Sequence, residues 1–150
     1  MRSPWVVREV LDLLGTEARR LGISVETDLA YGLPSIKGDT IQLEQVLLNL
    51  VRNGIDAMEA VTNRDRVLSL CTLINGEGEL EIVVRDTGVG LPAGKEPQIF
   101  DAFVTTKGNG LGLGLSISRT IVEAHGGRIW EEASGDQGAA FHVALPVQNA

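Results

Sequence analysis

The sequence predicts an α+β domain, a two-layer sandwich with helices on one face of a mixed, mainly antiparallel sheet. Two observations carry that prediction. Three stretches repeat apolar residues at helical spacing, while five others alternate apolar and polar residues as half-buried strands do. Their order is helix, strand, helix, hairpin, helix, hairpin, which lacks the strand–helix alternation of a parallel doubly wound sheet. With 150 residues and 43% hydrophobic composition, the chain suffices for one domain over 1–150 with a single core.

"SPWVVREVLDLLGTEARRLG" places Ser3 at an N-cap position and Pro4 at the first helical position, and repeats Val6, Val10, Leu13, Leu14 and Leu21 as the face to be buried. "ISVETDL" sets Ile23, Val25, Thr27 and Leu29 against polar neighbours, and "GLPSIKG" adds a short extended piece. "GDTIQLEQVLLNLVRNGIDAMEAV" puts Asp39 three residues before Gln42, the spacing of a capping box, and predicts a long helix to about Val61. "VLSLCTLI" and "ELEIVVRD", joined by "NGEG", form a hairpin. From Asp86 to Gly114 the chain is loop-like, with Pro92, Pro97 and a run of alternate glycines from Gly108 to Gly114; so long an irregular stretch implies a site. "LSISRTIVEAHGG" is helical from near Leu115, with Ile117, Ile121 and Val122 on one side and Gly126 as its stop. "RIWEEA" and "AAFHVALP", joined by "SGDQG", close the chain as a second hairpin.

Composition excludes several classes. A formal charge of -7 argues against a nucleic-acid partner, whose binding draws on clustered Lys and Arg. No apolar run approaches the roughly 18 to 20 residues that span a bilayer, so membrane contact by this domain is not expected. The single cysteine, Cys71, cannot form an internal disulfide and reads as a small core residue of a reducing, cytoplasmic compartment.

One face of the long helix is unusual. At 100° per residue, Gln42, Gln45, Val46, Asn49, Asn53 and Asp56 fall within about 100° of arc, opposite Leu43, Leu47, Leu50, Val51, Ile55 and Met58. A solvated face accounts for such a stripe, but it normally uses Lys, Glu and Arg, whereas Asn is a poor helix former. Side-chain carbonyls ligate hard cations, and Mg²⁺ takes one or two protein oxygens together with phosphates and water, which makes Asn53 a candidate ligand. The glycine segments fit neither common phosphate-binding motif. The Walker pattern is absent, and "GVGLPA" at 88–93 matches the dinucleotide fingerprint only loosely, with Pro92 where its helix would start. What remains is Asp86 at a strand end before a tight turn at Gly88 and Gly90, and a glycine segment that leads into a helix N-terminus, where unpaired amides suit polyphosphate.

"NLVRNGIDAM", "DTGVGLP", "IFDAFVTTK" and "GLGLGLSISRTIVEAHGGRI", in that order and spacing, resemble the N, G1, F and G2 boxes of the sensor histidine kinase ATP-binding domain. That family shares the Bergerat fold with type II topoisomerase, mismatch-repair and heat-shock chaperone ATPases, and the closest flavour is that of the oxygen-sensing and nitrogen-regulatory kinases. The resemblance covers nearly the whole chain and implies ATP and Mg²⁺ as cofactors. It implies that Asn53 ligates Mg²⁺ with Asn49 assisting, that Asp86 accepts from the adenine amino group, and that Gly88 and Gly90 bring backbone to the base. Asp56 and Ala57 line the pocket edge. Thr106, Lys107, Gly110, Gly112, Leu113, Gly114 and Leu115 belong to the lid and its phosphate-facing end, although a solvated lysine accounts equally for Lys107. Phe100 and Phe103 read as core residues unaided, and as lid fasteners by resemblance. Three departures stand out: Leu111 where threonine is commoner, Gly54 where alanine is usual, and Ala140 where relatives have a threonine beside the adenine.

The family's phosphoacceptor histidine sits on a dimeric helical hairpin, and no such hairpin lies in this sequence. His125, before Gly126, suits capping or a dipole interaction, and His142 is expected on the opposite sheet face from Phe141 and Val143. Neither reads as an acceptor. The expected function is therefore that of a catalytic module presenting the γ-phosphate of Mg·ATP to a histidine on the hairpin of the same kinase, with a response regulator receiver domain as the indirect partner. Two alternatives are an ATPase of the same fold and a nucleotide-binding interaction module. The related ATPases carry a Glu one turn before the metal-ligating Asn, and Asn49 holds that place here; an amide cannot act as a general base.

Overall fold

In the computed structural model, residues 3–30, 38–59, 65–88, 111–133 and 138–147 are described. They form helices α1 (Ser3–Arg20), α2 (Thr40–Ala57) and α3 (Leu111–Ala124), and strands β1 (Ser24–Leu29), β2 (Val67–Ile74), β3 (Leu80–Asp86), β4 (Arg128–Ala133) and β5 (Ala139–Leu145). The strands make one sheet in the order β1-β2-β3-β5-β4. β1 runs parallel to β2 with Ser24 opposite Val67, and the other three pairings are antiparallel. The α+β reading with a mixed, mainly antiparallel sheet therefore holds.

The core lies between the sheet and the helices, with α2 packed between α1 and α3. Leu68 and Leu70 of β2, Leu80, Ile82 and Val84 of β3, and Phe141, Val143 and Leu145 of β5 face Leu43, Leu47, Leu50, Val51 and Ile55 of α2. The period of two sends the intervening residues to the open face. His142 lies there as expected: its ring stacks on Trp130 (4.9 Å between centroids) and its two nitrogens lie 2.9 Å from a Glu81 oxygen and 3.1 Å from a Glu132 oxygen. Cys71 is also on that face, opposite Val83, and only half-buried, which corrects its reading as a core residue. Partial burial, assisted by Asp28, pushes its thiol up.

Helix boundaries and faces shift in three places. On α1, Val10, Leu14 and Ala18 are buried, whereas Leu13 is 63% exposed and Leu21 47%. The apolar repeat is wider than the surface available to cover it. On α3, Leu115, Ser118, Ile121 and Val122 are buried and Ile117 is not. Helix α2 ends at Ala57 rather than near Val61, because the Met58 amide already turns back to the Ile55 and Asp56 carbonyls. Its start matches half of the predicted box: Asp39 Oδ1 accepts from the Gln42 amide at 3.1 Å. The other half differs, since the Asp39 amide donates to His125 Nε2 (3.0 Å).

One guanidinium gathers the ends of two helices. Arg66 donates from Nη1 to the Leu21 carbonyl (2.9 Å) and from Nη2 to the Glu59 carbonyl (3.1 Å), each just past the end of a helix. Arg66→Met keeps the stem and removes both bonds. It is expected to lower stability by about 1 to 2 kcal/mol, read as a reduced urea midpoint at unchanged m-value.

Candidate functional site

Strand β3 ends at Asp86, on the helix-covered face in line with Leu80, Ile82 and Val84. The residue is 4% exposed. Asp86 Oδ1 accepts from the Gly88 amide at 2.8 Å, and the Ala139 amide also donates to the carboxylate. These bonds only partly replace water. Burial, the largest influence, pushes the carboxyl from 3.8 up to about 6 against the lowering effect of the two amides.

Three glycines allow close packing around the end of β3. A Cβ on Gly88 would stand 2.5 Å from the Ala57 carbonyl oxygen, so the turn after β3 rests directly on the last turn of α2. A Cβ on Gly138, whose φ is +85°, would run into the Asp86 carbonyl oxygen. On Gly54 it would lie 3.5 Å from Asp86 Cβ. Thr87 fixes the turn by accepting from the Val67 amide (3.0 Å) and donating to the Asp65 carbonyl (3.0 Å). Ala57, Asp86 and Gly88 are thus brought together as the sequence implies.

Burial splits the polar stripe of α2 in two. Gln42 and Gln45 are exposed, as on any solvated face, but Asn49, Asn53 and Asp56 are half-buried. Asn53 Nδ2 is completely buried and has no hydrogen-bond partner. Leaving such a group unmatched costs about 1 to 3 kcal/mol, the signature of a site rather than of a packing contact. Asn49 Nδ2 donates at 3.2 Å to Ser118 Oγ, a fully buried hydroxyl of α3. These half-buried amides and the buried carboxylate belong to neighbouring positions on one surface, because Gly54 follows Asn53 and abuts Asp86.

Helix α3 begins at Leu111, four residues before the expected start. Gly112, Leu113 and Gly114 therefore belong to its first turn, where amides have no acceptor within the helix and the two glycines carry no side chain. Leu115 is 1% exposed within the core, so only its backbone can serve the site. Gly90, Thr106, Lys107 and Gly110, with Phe100 and Phe103, lie outside the described residues. Ala140 needs correction: it pairs with Arg85, and alternation against Phe141 and Val143 puts it on the open face. Ala139, whose amide bonds Asp86, shares the face of that carboxylate. Gly138, Thr87 and Ser118 were not singled out from sequence, and only the glycine preceding the "AAF" strand offered a signal.

Residues 38–149 match the family of histidine kinase-, DNA gyrase B-, and HSP90-like ATPases. The chain belongs to that family. Among relatives of this ATPase family, sensor histidine kinase TmoS of Ectopseudomonas mendocina is 40% identical over 143 residues, covering 95% of this chain and 15% of TmoS. Full-length ShkA in complex with AMPPNP superposes with a TM-score of 0.86 at 31% identity, covering all of this chain and 31% of ShkA. Histidine kinase ThkA in complex with response regulator TrrA gives 0.82 at 28%, covering 99% of this chain and 41% of the kinase. The chain thus spans a minor share of the proteins it matches.

Because the folded-state value of Asp86 lies above its ordinary value, the group favours folding below about pH 4, and that contribution is lost as pH rises through about 6. At 1.36 kcal/mol per pH unit the loss is roughly 3 kcal/mol. Asp86→Asn keeps an oxygen for the two amides and removes the charge. Urea unfolding is expected to find it more stable than the parent at pH 7.5 by about 1 to 3 kcal/mol, with the difference closing towards pH 4.

Proposed function

We propose that this domain binds Mg·ATP and presents the γ-phosphoryl group to a histidine on a separate helical hairpin of the same kinase, on the cytoplasmic side, with a response regulator as the eventual recipient. The observation that carries this reading is a set of unmet polar demands on one surface. Asp86 is buried with only two backbone amides in place of water, Asn53 Nδ2 is buried without a partner, and the amides of the first turn of α3 have no acceptor within the helix. A nucleotide answers all three, with an exocyclic amine at one end and phosphates at the other.

The residues present fit a magnesium nucleotide. When bound, Mg²⁺ neutralises charge on the phosphates; Asn53 would hold it through its amide oxygen, with the buried Nδ2 free to donate to a phosphate oxygen and Asn49 nearby. Everything else is positioning, as phosphoryl transfer requires. Asp86 accepts from the adenine amino group, Gly88 and Gly90 let the base approach backbone, and Ala57 and Asp56 close the pocket edge. Thr106, Lys107, Gly110, Gly112, Leu113, Gly114 and Leu115 form the lid and its phosphate-facing end. Asn49 at the place of the ATPases' Glu favours transfer to a protein histidine over hydrolysis.

Incubating the chain with labelled ATP and the histidine-bearing hairpin is expected to give acid-labile phosphate on the hairpin. Free phosphate instead would support an ATPase, and neither product would support a docking module. Calorimetry supplies a second check. Asn53→Ala is expected to weaken Mg·ATP binding at least tenfold while sparing adenosine, the loss of one metal-directed contact. Adenosine affinity is expected to fall as pH drops through about 6, where Asp86 takes up a proton, and Asp86→Asn should abolish that dependence.

A further inference from the structure

His125 follows the last residue of α3, and its ring makes two bonds that reach different helices. Nδ1 lies 2.8 Å from the Ile121 carbonyl of its own helix, and Nε2 lies 3.0 Å from the backbone amide of Asp39, the N-cap of α2. A carbonyl only accepts and an amide only donates, so the partners fix the tautomer: Nδ1 carries the hydrogen and Nε2 accepts. The imidazole of α3 thereby occupies the place that the Gln42 side chain would take in a capping box, and completes the cap of α2 from another helix. Surrounding geometry is built around the ring. A Cβ on Gly38 would come within 2.5 Å of His125 Cδ2 and 2.9 Å of Nε2. Beyond the ring, Gly126 (φ +77°) ends α3, and the Gly127 amide returns to the Val122 carbonyl (3.0 Å), so the helix terminus that carries the imidazole is itself fixed.

The other end of α3 is its first turn, Leu111 to Gly114, and between the two ends Ser118 accepts from Asn49. A helix moves as a rod of about 1.5 Å per residue, so the latch at His125 and the first turn stand about 16 Å apart on one lever. Ile121 and Val122 are buried between them. We infer that His125 is a positioning residue for the triphosphate end of the nucleotide: by capping α2 in trans it fixes the tilt of α3, and with it both the first-turn amides and Asn49. This rests on the nucleotide reading above. The adenine end, built on Asp86 and Gly88, does not depend on the latch.

That separation makes the inference testable on the full chain. His125→Phe keeps the ring volume and removes both bonds, Gly38→Ala displaces the ring without altering it, and His125→Gln restores an acceptor for the Asp39 amide. At a temperature where every variant is folded, calorimetry is expected to show His125→Phe and Gly38→Ala raising the dissociation constant for Mg·ATP about five- to tenfold, the worth of a lost hydrogen bond. Adenosine binding should stay within about twofold, His125→Gln should recover most of the ATP affinity, and hydrogen exchange at the Asp39 amide should accelerate in the first two. A lowered melting temperature with unchanged ATP affinity, or an equal loss of ATP and adenosine, would overturn the inference and leave His125 a stability contact. If the parent chain binds neither adenosine nor Mg·ATP, the nucleotide reading itself fails and takes this inference with it.

Discussion

A carboxylate held against its own preference is the constraint around which this domain is arranged. Asp86 lies at the end of a central strand, below the helix layer, with its oxygens supplied by two backbone amides instead of water. An ordinary core would place an apolar side chain there, and every other inward position of β3 does so. Holding it requires close approach from α2, from the turn after β3 and from the start of β5, which is why Gly54, Gly88 and Gly138 converge on it. The same closeness desolvates the carboxylate. Stability is given up locally to keep a desolvated acceptor at this strand end, the position at which the proposed nucleotide reading places the base.

Opposite demands occupy the two ends of the surface. At Asp86 the protein offers an acceptor, while at Asn53 and at the first turn of α3 it offers dipoles that suit anions or a cation between anions. A net charge of -7 is compatible with the polyanionic ligand proposed above, because backbone amides supply positive potential locally. Helix α2 joins the two ends, since its polar stripe becomes half-buried only from Asn49 onward, where α3 and β3 close over it. An identical set of residue types on an isolated helix would be indistinguishable from a solvated face.

Much of the architecture was legible in the sequence because its signals are local. The two hairpins announced themselves through alternation and turn residues, and Asn75 in the first one binds the Glu77 and Glu79 amides through its side chain. The N-cap at Asp39 was equally visible. What could not be read were outcomes decided by distant partners. Leu13 and Ile117 carry the right residue type for burial and lack a neighbour to bury them. The start of α3 ran into a glycine run whose intrinsic preference is against helix, and the core contacts of Leu115 and Val122 outweigh that preference. Ala140 and Ala139 exchanged places because a period of two gives alternate faces but not which face is which until the register with β3 is known. Asn53 and Asp86 were singled out by residue type and position, whereas Ser118 was hidden, because a serine in an apolar helix signals nothing until its partner is in place.

The helix layer shows why those long-range polar contacts are few and where they have to be. An apolar interface between α2 and α3 buries area without fixing rotation or tilt, since side chains such as Leu47, Leu50, Ile121 and Val122 tolerate small sliding at little change in burial. Directional bonds remove that freedom. Along α3 they fall at Ser118 and at His125, one in the middle and one at the end remote from the glycine segment. The first turn carries two glycines and amides without an acceptor in the helix, and the opposite end is bonded to the start of α2. The bonds at the His125 end and the glycines of the first turn thus sit at opposite ends of one helix, so the end without side chains is held in register by contacts made at the other.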